Sequence, residues 1–104
     1  MIDTPRVAWT AKASKALDKA DARLRRRIGE RLDKLASALQ AQASRGETPR
    51  PPAGLGSKPL TGDRRGLHRL RVAEWRVIYR IDRDGRIVVV TVVALGPRGQ
   101  VYDS

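Results

Sequence analysis

The 104 residues are enough for one domain around a single thin hydrophobic core. Seventeen arginines and five lysines against eleven carboxylates leave a formal charge of +11, an imbalance that implies a polyanionic partner: nucleic acid, a membrane surface or an acidic protein. The absence of cysteine excludes disulfides, thiolate metal sites and cysteine nucleophiles, and with one histidine, His68, a metal-dependent nuclease would have to be built from scattered carboxylates.

In chain order, Arg6-Val7-Ala8-Trp9 reads as a short strand. Thr10 can then cap a helix over Ala11 to Ala20, with Ala13, Ala16, Leu17 and Ala20 on one face. Asp21 reads as a cap or a helix junction. Beyond it Leu24, Ile28, Leu32, Leu35 and Leu39 recur at spacings of four, four, three and four, the stripe of an amphipathic helix of about five turns. Its other faces carry Arg23, Arg25, Arg26, Arg27, Arg31 and Lys34.

From Ala43 to Ser57 the chain is rich in Gly, Pro and small polar residues, which predicts a flexible loop. Three strands should follow: Leu67 to Val72, Trp75 to Asp82 and Arg86 to Ala94, with Gly96-Pro97 breaking the last pattern. Val72-Ala73-Glu74-Trp75 makes a tight connection, and Asp82-Arg83-Asp84-Gly85 is a hairpin signal, so these strands pair antiparallel. The expected architecture is a single α+β domain over residues 1–104, ordered β-α-α-β-β-β. A helical hairpin covers one face of a twisted, mainly antiparallel sheet and leaves the other open.

Alternation then sorts the side chains. His68, Leu70 and Val72 point one way, and Leu67, Arg69 and Arg71 the other. A lone strand arginine is ordinarily just a solvated side chain. Several on adjacent strands, opposite an apolar face, are better read as a basic ligand surface. Arg69, Arg71 and Arg76 can meet Arg98 and Tyr102 there. His68, on the side of Leu70 and Val72, is expected to be a packed structural residue, and Trp75 and Tyr79 to be packing residues rather than base-stacking platforms. The apolar run Ile87 to Leu95 is too short to cross a bilayer and no signal peptide is legible, so a soluble, cytoplasmic protein is expected.

Three segments occur in order: Lys58-Pro59-Leu60-Thr61-Gly62, then Arg69-Leu70-Arg71, then Trp75-Arg76-Val77-Ile78-Tyr79. With the tail from Val92 to Tyr102, they resemble the signature of RelE/ParE superfamily toxins of type II toxin–antitoxin systems. The resemblance implies a RelE-like fold and, in the RelE branch, a ribosome-dependent mRNA interferase. That endoribonuclease cuts in the A site by attack of a ribose 2′-OH on the adjacent phosphate, without metal or other cofactor.

It further implies catalytic roles for Arg69, Arg76, Arg98, Tyr102 and Lys58. Arg76 and Arg98 would bind the phosphate and its transition state, Tyr102 would orient substrate or move a proton, and Arg69 would activate substrate. Arg71 and Arg65, with Lys58 and Arg69, would bind RNA. Arginine is a poor base at neutral pH, which leaves Lys58 and His68 as candidates for that task. The implied partners are mRNA, the ribosome and a RelB-like antitoxin carrying an acidic segment. ParE-like relatives share the fold, lack the RNase residues and poison DNA gyrase by protein contact, which makes gyrase inhibition the alternative; a weakly active RelE homologue is a further one.

Overall fold

A computed structural model describes residues 6–62 and 65–97. The element order is β1 (Arg6–Trp9), α1 (Ala11–Leu17), α2 (Ala22–Ser44), β2 (Ser57–Pro59), β3 (His68–Val72), β4 (Trp75–Asp84) and β5 (Ile87–Pro97). The strands form one sheet in the order β1-β5-β4-β3-β2, with only the β1–β5 pair parallel. The α+β architecture expected from the sequence is therefore present, with one additional short strand, β2.

Both helices start where capping residues place them. Thr10 ends β1, its N–H donating to the Val92 carbonyl at 3.0 Å, while its hydroxyl oxygen accepts from the Ala13 N–H at 3.1 Å. Asp21 accepts from the Leu24 N–H at 2.8 Å, satisfying one of the free donors at the start of α2. An extended Asp21 (ψ 168°) obliges the chain to leave the helical conformation first. Hence α1 stops at Leu17 instead of Ala20, although Ala20 stays buried.

The second helix is longer than the leucine stripe suggested, at 23 residues. It ends in a Schellman arrangement: Gly46 at φ +81°, its N–H donating to Ala43 and the Glu47 N–H to Gln42. Ala43 and Ser44 thus belong to α2 and Ser57 to β2, which trims the expected 43–57 loop at both ends. What remains is tied to the helix. The Gln42 side chain exchanges two hydrogen bonds with the Arg50 backbone, at 2.6 and 2.9 Å.

Ile28, Leu32, Leu35 and Leu39 of α2 are fully buried against Leu70, Val72, Val77, Tyr79, Val88, Val90 and Val92 of the sheet. The strand β5 runs through Gly96 to Pro97, past the expected break, because β4 stays paired with it as far as Trp75 opposite Pro97, while β1 pairs with Val89 to Val92. Beyond Val92 that side of β5 is a sheet edge among the described residues, where a proline without an N–H is tolerated. Between Ile78 and Tyr79 the β4–β5 register shifts: Val92 lies opposite Tyr79 and Ala94 opposite Ile78, leaving Val93 as an extra residue. This bulge reverses the alternation of β5, turning Leu95 into the core and Gly96 to the face opposite the helices.

Candidate nucleic-acid interface

The side of the sheet away from the helices carries two adjacent rows of cations. In one, Lys58 of β2 stands directly opposite Arg69 of β3, which in turn faces Ile78 of β4. In the next, Arg71 faces Arg76, and Arg76 faces Gly96. Directly opposed side chains in an antiparallel pair have Cβ atoms about 4.5–5.5 Å apart, and like charges there repel. For Lys58 and Arg69 that opposition is a cost that an anion would remove.

Local charge compensation is uneven across this face. At its far end Arg80 donates from Nε to Asp82 at 2.8 Å, Thr91 donates its hydroxyl to the same carboxylate at 2.8 Å, and Arg6 lies 3.8 Å from Asp84. Lys58, Arg69 and Arg71 have no such acid among the described residues. No ion pair forms on any of the three among the described residues, and the buried Nε of half-buried Arg69 has no hydrogen-bond partner. Small or apolar residues, Ile78, Ala94 and Gly96, adjoin the rows. At the hairpin end Arg71 and Arg76 share a cleft with Ala73, Glu74 and Trp75. The two-residue turn there puts Ala73 at φ +53°, a left-handed conformation unfavourable for a residue with a Cβ.

The other residues singled out from the sequence separate from this surface. Arg65 is exposed in the β2–β3 connection, where its N–H donates to the Gly62 carbonyl at 3.2 Å, and it belongs to neither row. Arg98 and Tyr102 lie outside the described residues. His68 is on the helix side, as its alternation indicated. It stacks on Tyr79 with ring centroids 5.2 Å apart, and the Tyr79 hydroxyl is 2.5 Å from Ser57 Oγ. Tyr79 is wholly buried, a packing residue as expected. Neither the strand status of Lys58 nor the bulge that faces Gly96 toward Arg76 was foreseen from the sequence.

Burial pushes the His68 imidazole below its ordinary value of 6.5, and its buried Nδ1 has no partner. The folded state thus favours neutral His68. Its contribution to stability is full above pH 6.5 and is lost as pH falls through the depressed folded value, because the unfolded chain takes up the proton first. Denaturation series across this range should show the wild type losing stability on acidification. His68→Leu should lose less; equal acid slopes in the two proteins would rule out His68 as their source.

The sequence pattern described as the ParE toxin of type II toxin–antitoxin system, parDE, matches residues 7–102. The chain belongs to this toxin family. The toxin also resembles solved structures. One is the RelBE2 toxin–antitoxin complex of Mycobacterium tuberculosis, at TM-score 0.63 and 23% identity, covering 96% of this chain and 98% of that one. Another is a YoeB/ParE toxin from Agrobacterium tumefaciens, at TM-score 0.62 and 28% identity, covering 89% and 98%. A third is the archaeal RelE–RelB complex of Pyrococcus horikoshii OT3, at TM-score 0.63 and 25% identity, covering 93% and 98%. No curated protein sequence matches the toxin significantly. These likenesses bear out the RelE/ParE resemblance and the RelE-like fold. No helix among the described residues is long and apolar enough to cross a membrane.

Proposed function

We propose that this toxin is an endoribonuclease that cuts mRNA in the ribosomal A site. The observation that carries the reading is the double row of cations: Lys58 opposite Arg69 and Arg71 opposite Arg76, with no acid paired to Lys58, Arg69 or Arg71 among the described residues. In the reaction the ribose 2′-oxygen forms a bond to the adjacent phosphorus and the bond from phosphorus to the 5′-oxygen breaks. The 2′-OH gives up a proton and the departing 5′-oxygen gains one. The products are a 2′,3′-cyclic phosphate and a 5′-OH.

The transition state carries two negative charges on the phosphoryl group, and fixed guanidinium donors stabilise such charge without reorganising. That role falls to Arg69, Arg71 and Arg76, with Arg98 as a fourth. Lys58 is the side chain of the two rows able to exchange a proton, so it takes precedence over His68, which faces the helices. Tyr102 would orient the substrate. The partner that silences the toxin is an antitoxin of the kind found in the RelB complexes, and a +11 surface calls for an acidic segment in it.

One observation favours a second reading. The matched family is that of the ParE toxin, and the resemblance implies for ParE-like members an action on DNA gyrase. A translation reaction with primer-extension mapping, run beside a gyrase supercoiling assay on the same preparation, separates the two. The endoribonuclease reading predicts new mRNA ends at A-site codons and unimpaired supercoiling. Intact mRNA with blocked supercoiling would establish the gyrase reading instead.

A further inference from the structure

Arg31 departs from the other arginines of α2. Arg23, Arg25, Arg26 and Arg27 are exposed, whereas Arg31 is half-buried. Its Nη2 donates to the Leu55 carbonyl at 2.5 Å, while its buried Nε has no hydrogen-bond partner. An unpaired buried N–H is unfavourable, and a methionine would cover the same ground without it. What a methionine could not do is hold the Leu55 carbonyl.

That carbonyl lies at the corner where the loop becomes β2. The next residue, Gly56, has φ +80°, and its carbonyl accepts from the Arg71 N–H at 3.1 Å. A Cβ on Gly56 would come within 3.3 Å of Arg31 Nη2 and 3.6 Å of the Arg71 carbonyl oxygen, so the guanidinium, the corner and β3 are packed together. Three residue pairs register β2 on β3, with the Leu60 N–H donating to the Leu67 carbonyl at 2.9 Å beyond them, and β2 is the edge of the sheet among the described residues. The second residue after Gly56 is Lys58, opposite Arg69.

We propose that Arg31 is a positioning residue of the cation rows: its clamp on the Leu55–Gly56 corner fixes β2 against β3, and so sets Lys58 beside Arg69 and braces Arg71. The catalytic consequence rests on the endoribonuclease reading; the clamp does not. Hydrogen exchange of the Arg71 amide reports the clamp, and single-turnover mRNA cleavage at saturating ribosomes reports positioning.

In Arg31→Met the Arg71 amide should exchange about tenfold faster, with the amides of α2 and β5 unchanged. Cleavage should slow on the order of 10²-fold while ribosome affinity stays within about threefold, the signature of misplacement rather than lost binding. Arg31→Lys, which keeps the charge and a donor, should recover most of both. If Arg31→Met fails to fold, Arg31→Gln supplies the same two readouts. Wild-type exchange at Arg71 in the folded variant overturns the proposal, as does wild-type cleavage despite fast exchange. A wild-type toxin that cuts no ribosome-bound mRNA overturns the endoribonuclease reading and with it the positioning role. The Arg71 exchange rate would still decide whether the clamp exists.

Discussion

Arg69→Met is expected to slow cleavage of ribosome-bound mRNA by on the order of 10²–10³-fold, as the loss of one preorganised charged donor to a transition state does. Folding should not suffer. The methionine retains an apolar stem over Ile78, removes a buried Nε that has no partner, and relieves the like-charge opposition with Lys58. Relief of one such opposed pair is worth about 0.2–1 kcal/mol, so the variant should melt at or slightly above the wild-type temperature. The informative control is Arg80→Met on the same face. Arg80 already has Asp82 as its partner at 2.8 Å, and its loss should leave cleavage near wild type. Equal losses in the two variants would reduce the site to general positive charge, and an active Arg69→Met would remove Arg69 from it.

Gln40→Leu should lower stability measurably. Gln40 is buried at the end of α2, and its amide completes the sheet. Oε1 accepts from the Val88 N–H at 2.8 Å and Nε2 donates to the Arg86 carbonyl at 2.9 Å. Those backbone groups lie just before the point where β1 begins to pair with β5, at the register Arg6 opposite Val89. The side chain therefore satisfies two backbone groups of the sheet itself. Leucine fills the volume and leaves the buried Val88 N–H without an acceptor, at a cost of about 1–3 kcal/mol. For a domain near 100 residues each kcal/mol moves the midpoint about 4–8 °C, so a thermal melt would register it clearly. A midpoint within about 2 °C of wild type would mean that water or a backbone shift replaces the amide.

Most of the fold was legible because its signals are local and periodic. The stripe from Leu24 to Leu39 could only be one helix face, and Thr10 and Asp21 cap where their chemistry suggested. Alternation put Arg69 and Arg71 on one face and His68 on the other, and the register agrees. What escaped depends on contacts distant in sequence. Ser57-Lys58-Pro59 has no strand propensity of its own and is a strand only because β3 offers it an edge. The bulge that turns Gly96 toward Arg76 leaves no mark in the run Ile87 to Leu95. Arg31 reads as one of the outer-face arginines of α2, and nothing near it or Gln40 in sequence reveals the carbonyls they hold. For the cation rows, alternation gave the arginine face, the RelE/ParE resemblance pointed to Lys58, and the sheet register brought the two together.

The central claim is that the cation rows cleave RNA that the ribosome holds in position. Fixing a reacting group in line can be worth about 7–11 kcal/mol in the best-oriented cases, and an open sheet face offers a free single strand little to fix it. The most direct measurement is the single-turnover cleavage rate of one end-labelled mRNA, taken at physiological salt with and without programmed ribosomes. The account predicts rapid cutting at the A-site codon with ribosomes present. Without them it predicts weak, salt-sensitive binding and negligible cutting. Equally rapid, site-specific cutting of the naked mRNA would contradict it.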